Sequence, residues 1–234
     1  MIAENLQRLH GRIAQACLDA GRPPHSVRLL AVSKTFGADA VVEAHAAGQT
    51  AFGENYIQEA VGKITELAHL PLEWHCIGPI QSNKSRLVAE HFQWAHTVDR
   101  LKIAQRLSEQ RPVHLPPLNI CIQVNIDGGD TKWGVAPHEA LALAQAIVPL
   151  PRLQLRGLMC IPEPAPDFIA ARAVFVRASA LFDAINAAGV PLDTLSMGMS
   201  ADLEAAVQGG STLVRVGSAI FGVRSTSRPA SESA

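Results

Sequence analysis

The sequence has no excess of charge of either sign, and it has few cysteines. It contains 20 Lys and Arg residues against 21 Asp and Glu residues, so its formal net charge is −1. Nucleic-acid-binding proteins usually carry a clear basic excess, so we expect no nucleic-acid partner. The four cysteines stand far apart with no C-x-x-C pair: Cys17, Cys76, Cys121 and Cys160. This spacing argues against a disulfide framework or a zinc site and is typical of a reducing compartment.

Long apolar runs and several common motifs are also missing. No run of 18 apolar residues is free of charge, so we expect no association with a membrane. The first 21 residues are apolar only at helical spacing and are interrupted by charges, unlike a signal peptide. There is no H-E-x-x-H motif, and we expect no metal site. These absences together predict a cytoplasmic protein.

What the sequence does contain is a regular alternation of short apolar segments with amphipathic ones. The apolar segments are typical of buried strands in a parallel sheet, and the stretches between them have helical periodicity. Predicted strands cover residues 28–34, 50–53, 73–78, 93–98, 118–125, 153–160, 194–197 and 212–216. Predicted helices cover residues 38–47, 56–68, 82–91, 100–110, 137–148, 168–188 and 201–208, after an extra N-terminal helix that ends at Gly21.

The number and spacing of these segments favour an α/β fold with a single (β/α)8 barrel, the TIM-barrel architecture. The repeats average about 25 residues, which is close to what a minimal closed barrel needs. An open doubly wound sheet is the alternative, but its G-x-G-x-x-G motif is absent. We therefore expect one domain over residues 1–224. The small, polar segment 225–234 is expected to be a disordered tail.

Polar residues stand at the ends of most predicted strands, where a parallel barrel places its chemistry. Lys34 ends the first of them. A lysine that closes a buried apolar run is expected to be partly desolvated, which favours the neutral amine that attacks carbonyl groups. The alternative is a lysine that extends to the barrel rim and has no such role.

The segments after the seventh and eighth strands predict an anion site. One is a glycine-containing turn from Ser196 to Asp202 that leads into a helix, and in the other Gly217 and Ser218 open a short helical segment. N–H groups at helix starts bind phosphate, and barrels frequently use these two loops for it. The alternative is that the glycines only make turns and Ser200 only caps a helix. A phosphate site opposite a reactive amine is what pyridoxal 5′-phosphate (PLP) needs.

Arg215 is the third element of this predicted site. It lies within the apolar segment Leu213–Val216, where an unpaired cation is costly. A functional role is therefore expected, with a buried ion pair to Asp or Glu as the alternative. If Arg215 faced the ring nitrogen of PLP, its permanent charge would keep that nitrogen unprotonated and make the ring a poorer electron sink.

Several of these residues belong to longer motifs that occur in a fixed order. The motifs include Ala31-Val-Ser-Lys34, Gly53-Glu-Asn-Tyr56, Trp74-His-Cys-Ile-Gly78, Leu195-Ser-Met-Gly-Met-Ser200 and Val214-Arg-Val-Gly217. From the N-terminal helix to Arg224, the sequence resembles the pyridoxal phosphate homeostasis protein family. The resemblance implies a barrel like the N-terminal domain of alanine racemase. It also implies a protein that binds PLP and buffers it or delivers it to apo-PLP enzymes.

The resemblance also implies roles for individual residues. Lys34 would hold PLP as a Schiff base, Arg215 would stand near the pyridine nitrogen, and Asn55 and His75 would line the pocket. The complete set of expected cofactor-binding residues is Lys34, Asn55, His75, Ser196, Met199, Ser200, Arg215, Gly217 and Ser218. We expect the protein to act as a monomer.

An amino-acid racemase or a related PLP enzyme is the alternative function. A racemase needs a base on each face of the substrate α-carbon. In the racemase that this barrel resembles, the second base is a tyrosine from a further β domain, whereas here the barrel uses nearly the whole chain. The one tyrosine, Tyr56, is expected to pack against a helix. We therefore expect a non-catalytic protein whose cofactor is accessible to solvent.

Overall fold

The computed structural model describes residues 1–129 and 133–222, so the predicted tail 225–234 lies outside the described residues. Eight strands form a closed parallel barrel in the order β1 to β8, and β8 pairs with β1. The strands are β1 (Arg28–Val32), β2 (Ala51–Glu54), β3 (Glu73–Cys76), β4 (Trp94–Val98), β5 (Leu118–Gln123), β6 (Leu153–Met159), β7 (Thr194–Ser196) and β8 (Leu213–Val216). The predicted (β/α)8 barrel is confirmed.

Helices cover the outside of the barrel. They are α1 (Ile2–Asp19), α2 (Ala38–Ala46), α3 (Ile57–Glu66), α4 (Ser85–His91), α5 (Leu101–Gln110), α6 (Ala140–Ile147), α7 (Phe168–Ala187), α8 (Leu203–Gln208) and α9 (Ser218–Phe221). Two short 3₁₀ helices, Ser82–Lys84 and Pro137–Glu139, precede α4 and α6. The extra N-terminal helix α1 buries its apolar stripe and packs against α8 and α9. No helix in the described residues is long and apolar enough to cross a membrane.

Several strands end earlier than the sequence predicts. The predicted first strand runs to Lys34, but β1 ends at Val32, which pairs with Gly53 in the last registered position between β1 and β2. The third and fifth predicted strands likewise extend two residues beyond Cys76 and Gln123. Ser33, Ile77 and Val124 each still donate one backbone hydrogen bond to a neighbouring strand before the chain turns away from the barrel. The polar residues that follow therefore belong to the loops at the barrel mouth.

The two faces of each strand pack against different surroundings. On β1, Leu29 and Ala31 point outward into the large apolar layer between strands and helices, whereas Leu30 and Val32 belong to a smaller cluster inside the barrel. This alternation is the period of two that a strand imposes on its side chains. We call these two regions the outer layer and the barrel interior.

Candidate functional site

The ends of β1, β2, β7 and β8 converge on a cavity of about 350 Å³ at the barrel mouth. Its described lining consists of Val32, Lys34, Asn55, Ile77, Ile161, Met199, Ser200, Ala201, Arg215, Gly217 and Ser218. Seven of the nine predicted site residues are in this set. A cavity of this size lies within the range that holds small cofactors.

Lys34 is presented by a strained turn. Ser33 to Phe36 form a tight turn closed by a hydrogen bond from the Phe36 N–H to the Ser33 carbonyl (3.1 Å). Within it Thr35 has a φ of +68°, which is unusual for a β-branched residue and is often found at functional sites. The Lys34 side chain is exposed. The expectation that it would be desolvated is therefore wrong, because β1 ends two residues before it and the turn carries it out of the barrel wall.

A buried ion pair holds the base of this turn. The Lys63 ammonium, on α3, contacts a carboxylate oxygen of Glu54 (2.6 Å) and donates to the Ser33 carbonyl (3.0 Å). The Ser33 hydroxyl donates to the same Glu54 oxygen (2.5 Å). Glu54 is almost fully buried, and Lys63 is 9% exposed. These contacts anchor the residue immediately before Lys34.

Ser200 and Ser218 place two hydroxyl groups side by side, with their oxygens 3.4 Å apart. The turn that carries Ser200 requires a glycine at residue 198, which has a φ of +96°; an added Cβ would lie 2.4 Å from the Cβ of Ala206. Asp202 accepts a hydrogen bond from the Met199 N–H (2.6 Å) and stabilises the turn. Paired hydroxyls beside a glycine-containing turn can hold an anion such as a phosphate group.

Arg215 is 4% exposed and lies under the cavity on β8. It donates to the Ser196 hydroxyl (2.7 Å) and to the Cys160 carbonyl (3.0 Å). Burial lowers the pKa of its guanidinium below the ordinary value. Among the described residues no carboxylate forms an ion pair with it, so the alternative of a buried Asp or Glu partner finds no support there.

Asn55 supplies a polar atom with no hydrogen-bond partner. Its Oδ1 is buried, and none of the described residues donates to it. Asn55 lies close to the loop after β3, where a Cβ on Gly78 would come within 2.1 Å of the Asn55 carbonyl oxygen. A buried acceptor at the edge of a cavity is costly unless a ligand or water bonds to it, so this atom is suited to a polar ligand.

Two predicted residues do not line the described cavity. The His75 ring is fully buried in the barrel interior and stacks on Trp94 with ring centroids 5.2 Å apart, so the expectation that it lines the pocket is wrong. Ser196 is also fully buried, and it contacts Arg215, which lines the cavity. Side chains alternate along a strand, and the inward position on β3 lies one layer below the mouth.

His96 is an interior residue that the sequence analysis did not identify. It is fully buried on β4 and hydrogen-bonds to His75 (2.8 Å) and to Ser196 (2.9 Å). Burial lowers its pKa well below 6.5. The sequence did contain a signal for an interior position. His75 and His96 stand on neighbouring strands, and each is next to a residue that faces the outer layer.

Other reactive side chains lie away from the cavity or are inert. The chain's tyrosine, Tyr56, is 54% exposed at the start of α3, so the expectation that it packs against a helix is wrong. The residue instead lines an open groove with Gln58 and Lys84. Burial raises the pKa of the Cys160 thiol to about 12, which leaves this thiol protonated and unreactive at neutral pH.

Comparison with known proteins identifies close relatives. Residues 4–225 match the model of the alanine racemase N-terminal domain family. A protein of Pseudomonas aeruginosa named pyridoxal phosphate homeostasis protein is 60% identical over 230 residues, which cover 98% of this chain and 99% of that protein. A protein of the same name from Vibrio cholerae is 53% identical and is covered to 99%.

A solved structure of PipY from Synechococcus elongatus, with PLP bound, superposes with a TM-score of 0.81 at 38% identity. The match covers 95% of this chain and 100% of that one. The family model and these relatives all match over nearly the whole chain, which includes the barrel and the residues of the cavity.

Proposed function

We propose that this chain, which belongs to the pyridoxal phosphate homeostasis protein family, binds PLP at the barrel mouth and holds it for other proteins without turning over amino acids. The family match, the 350 Å³ cavity and the convergence of an amine with an anion site support PLP as the ligand. PLP is an aldehyde that bonds covalently to a lysine amine with loss of water.

The described residues fit this group. Lys34 is the amine that would bond to the aldehyde carbon, and the Ser200 and Ser218 hydroxyls would donate to the phosphate. Arg215 would direct a charged N–H toward the pyridine nitrogen. The unpartnered Oδ1 of Asn55 would accept a hydrogen bond from a polar group of the ligand.

The observation that carries the non-catalytic reading is the composition of the cavity wall. Among its described residues only Lys34 and Arg215 are ionisable, and arginine stays charged at any pH that a protein tolerates. Racemisation needs a second base opposite the lysine. No side chain in the described wall provides this second base. Because Lys34 is exposed, a ligand bonded to it can be released into solvent.

We extend the proposal to the cellular role. Apo-PLP enzymes are the proposed recipients, and the four buried, free cysteines are consistent with work in a reducing cytoplasm. The monomeric state that we expect from the sequence stays a prediction.

The covalent site can be tested on the purified protein. We expect added PLP to produce a yellow protein, and borohydride reduction followed by peptide mapping to label Lys34. Lys63 is the internal control, because its ammonium is buried in the ion pair with Glu54. A label on Lys63, or a protein that ignores added PLP, would refute the assignment.

The choice between holding and catalysis requires a second measurement. We expect transfer of PLP to an apo-PLP enzyme, followed by recovery of that enzyme's activity. We also expect no racemisation or transamination when the loaded protein is incubated with a panel of amino acids. Robust turnover of any amino acid would establish the enzyme alternative.

A further inference from the structure

A continuous series of hydrogen bonds crosses the barrel interior below the proposed site. It starts at Arg215, whose Nη1 donates to the Ser196 hydroxyl (2.7 Å). The Ser196 oxygen lies 2.9 Å from Nδ1 of His96. All three side chains are buried, and Ser196 and His96 are fully so. The Arg215 contact at the mouth is therefore supported from below by groups that water does not reach.

The series continues to the opposite, N-terminal end of the barrel. Nε2 of His96 lies 2.8 Å from Nδ1 of His75, and Nε2 of His75 lies 2.7 Å from Oε1 of Glu73. The same oxygen of Glu73 accepts from Arg28 (2.8 Å). We call the set of Glu73, His75, His96, Ser196 and Arg215 the core hydrogen-bond chain.

The direction of every bond in the chain follows from its ends. Partial burial opposes ionisation of Glu73, but hydrogen bonds from His75 and Arg28 outweigh it and lower the pKa of Glu73 to about 2. The carboxylate can only accept, so Nε2 of His75 carries a proton and donates. Burial lowers the pKa of His75 below 6.5, so at neutral pH its ring is neutral and its Nδ1 is a bare acceptor.

The remaining bonds then have one arrangement. Nε2 of His96 must carry the proton that it donates to His75, which leaves Nδ1 of the neutral His96 ring as an acceptor. The Ser196 hydroxyl donates its single proton to that nitrogen. The oxygen of Ser196 is left to accept from Arg215, as observed. His75, His96, Ser196 and Arg215 each donate toward Glu73, and no donor faces another donor.

We propose that the core hydrogen-bond chain is a positioning device. The core hydrogen-bond chain orients the Arg215 guanidinium toward the cavity. Glu73, at the other end of the barrel, sets the direction in which each hydrogen bond of this series is donated. The Ser196 hydroxyl and the Cys160 carbonyl occupy two of the five N–H groups of Arg215. Arg215 also lines the cavity, and no further acceptor for its N–H groups is found among residues 1–129 and 133–222. For PLP as the ligand, this inference rests on the proposed function.

The direction of the chain can be measured without PLP. We expect nitrogen NMR of the unliganded protein at neutral pH to show both His75 and His96 with a protonated Nε2 and a bare Nδ1. Replacing the acceptor with Glu73→Leu should remove this preference at His75. A proton on Nδ1 of His96 in the unmodified protein would overturn the inference.

The effect on Arg215 can be measured with two matched serine variants. Ser196→Ala removes the hydroxyl that contacts Arg215. Ser211→Ala removes another fully buried hydroxyl, from the residue that stands two positions before β8. The hydrogen bonds of the Ser211 hydroxyl within the described residues go to backbone carbonyls, among them that of Met197 (2.7 Å). We expect Ser196→Ala to shift the absorption band of bound PLP and to raise its dissociation constant about tenfold. Ser211→Ala should leave both unchanged.

The two measurements separate this inference from the proposed function. If the unmodified protein does not bind PLP, the proposed function fails, while the histidine spectra still decide the direction of the chain. If PLP binds and both serine variants have the same absorption band and affinity, the positioning role is refuted. Ser196→Thr, which keeps the hydroxyl, should restore the absorption band; failure to do so in a folded variant would also count against the role.

Discussion

The outer layer and the barrel interior are built from the same eight strands, yet their chemistry is opposite. The outer layer is a continuous apolar region that joins strands to helices, with residues such as Phe52, Ile120 and Phe175 fully buried. The interior contains small apolar clusters interrupted by the core hydrogen-bond chain. Ordinary barrels of this type fill their interior with Val, Ile and Leu.

The difference shows which part of the molecule provides stability and which part prepares the site. Burial of apolar surface stabilises a fold without specifying any direction. A buried polar group must have a partner of the right kind, so a polar interior is stable only in one arrangement. In this protein the barrel interior provides one fixed arrangement of hydrogen bonds below the cavity, and the outer layer holds the strands around it.

The largest expected effect is in the outer layer. Phe175→Ala on α7 removes a fully buried ring and should lower the free energy of unfolding by about 3–5 kcal/mol. Urea denaturation measures this loss. The neighbouring Val176 is 42% exposed, and Val176→Ala is the matched control with a much smaller loss. A changed absorption band of bound PLP in Phe175→Ala would contradict the separation between the two regions.

A smaller effect should come from the interior histidines as pH falls. The pKa of His75 and of His96 is lower in the folded protein than the ordinary 6.5, so the unfolded chain binds protons first. Their contribution is therefore present above pH 6.5 and is lost as the pH falls below it. The free energy of unfolding should therefore fall between roughly pH 7 and 5.5, and the larger part of this fall should come from His96, whose pKa is lowered further.

Urea denaturation over this pH range tests the effect of the histidines. His96→Gln should make the pH dependence weaker. Thr97→Val is the control, because it removes a buried hydroxyl from the same strand (its bond to the Gly78 carbonyl is 2.6 Å) without removing a histidine. The same pH dependence in His96→Gln and in the unmodified protein would refute this account of the interior.

The smallest effect should lie outside both regions. Arg12 on α1 and Glu204 on α8 form an ion pair at 2.9 Å, with both side chains 42% exposed. Arg12→Ala should cost at most about 1 kcal/mol, and the loss should shrink in high salt because solvent screens the pair. Unfolding measured at low and high salt tests this. A salt-independent loss would show that packing of the arginine, not its charge, joins the two helices.

The outer layer and the order of the elements were predictable from the sequence. Apolar residues recur every two positions in strands and every three or four in helices, so a window of about ten residues reveals both. Polar residues at strand ends were predictable for the same reason, and Lys34, Ser200 and Arg215 do line one cavity. The exposure of Lys34 was not predictable, because it depends on where the neighbouring strand stops pairing.

The sequence by itself determined the element types, the parallel barrel and the residues that reach its mouth, because these follow from local periodicity and from the polarity of strand ends. Only the tertiary structure decided which polar residues meet inside. His96 and Ser196 are 100 residues apart in the chain, and they touch because closure of the barrel points side chains of separate strands at a common axis. Hydrogen-bond direction is a property of that closed arrangement, and no short stretch of sequence contains it.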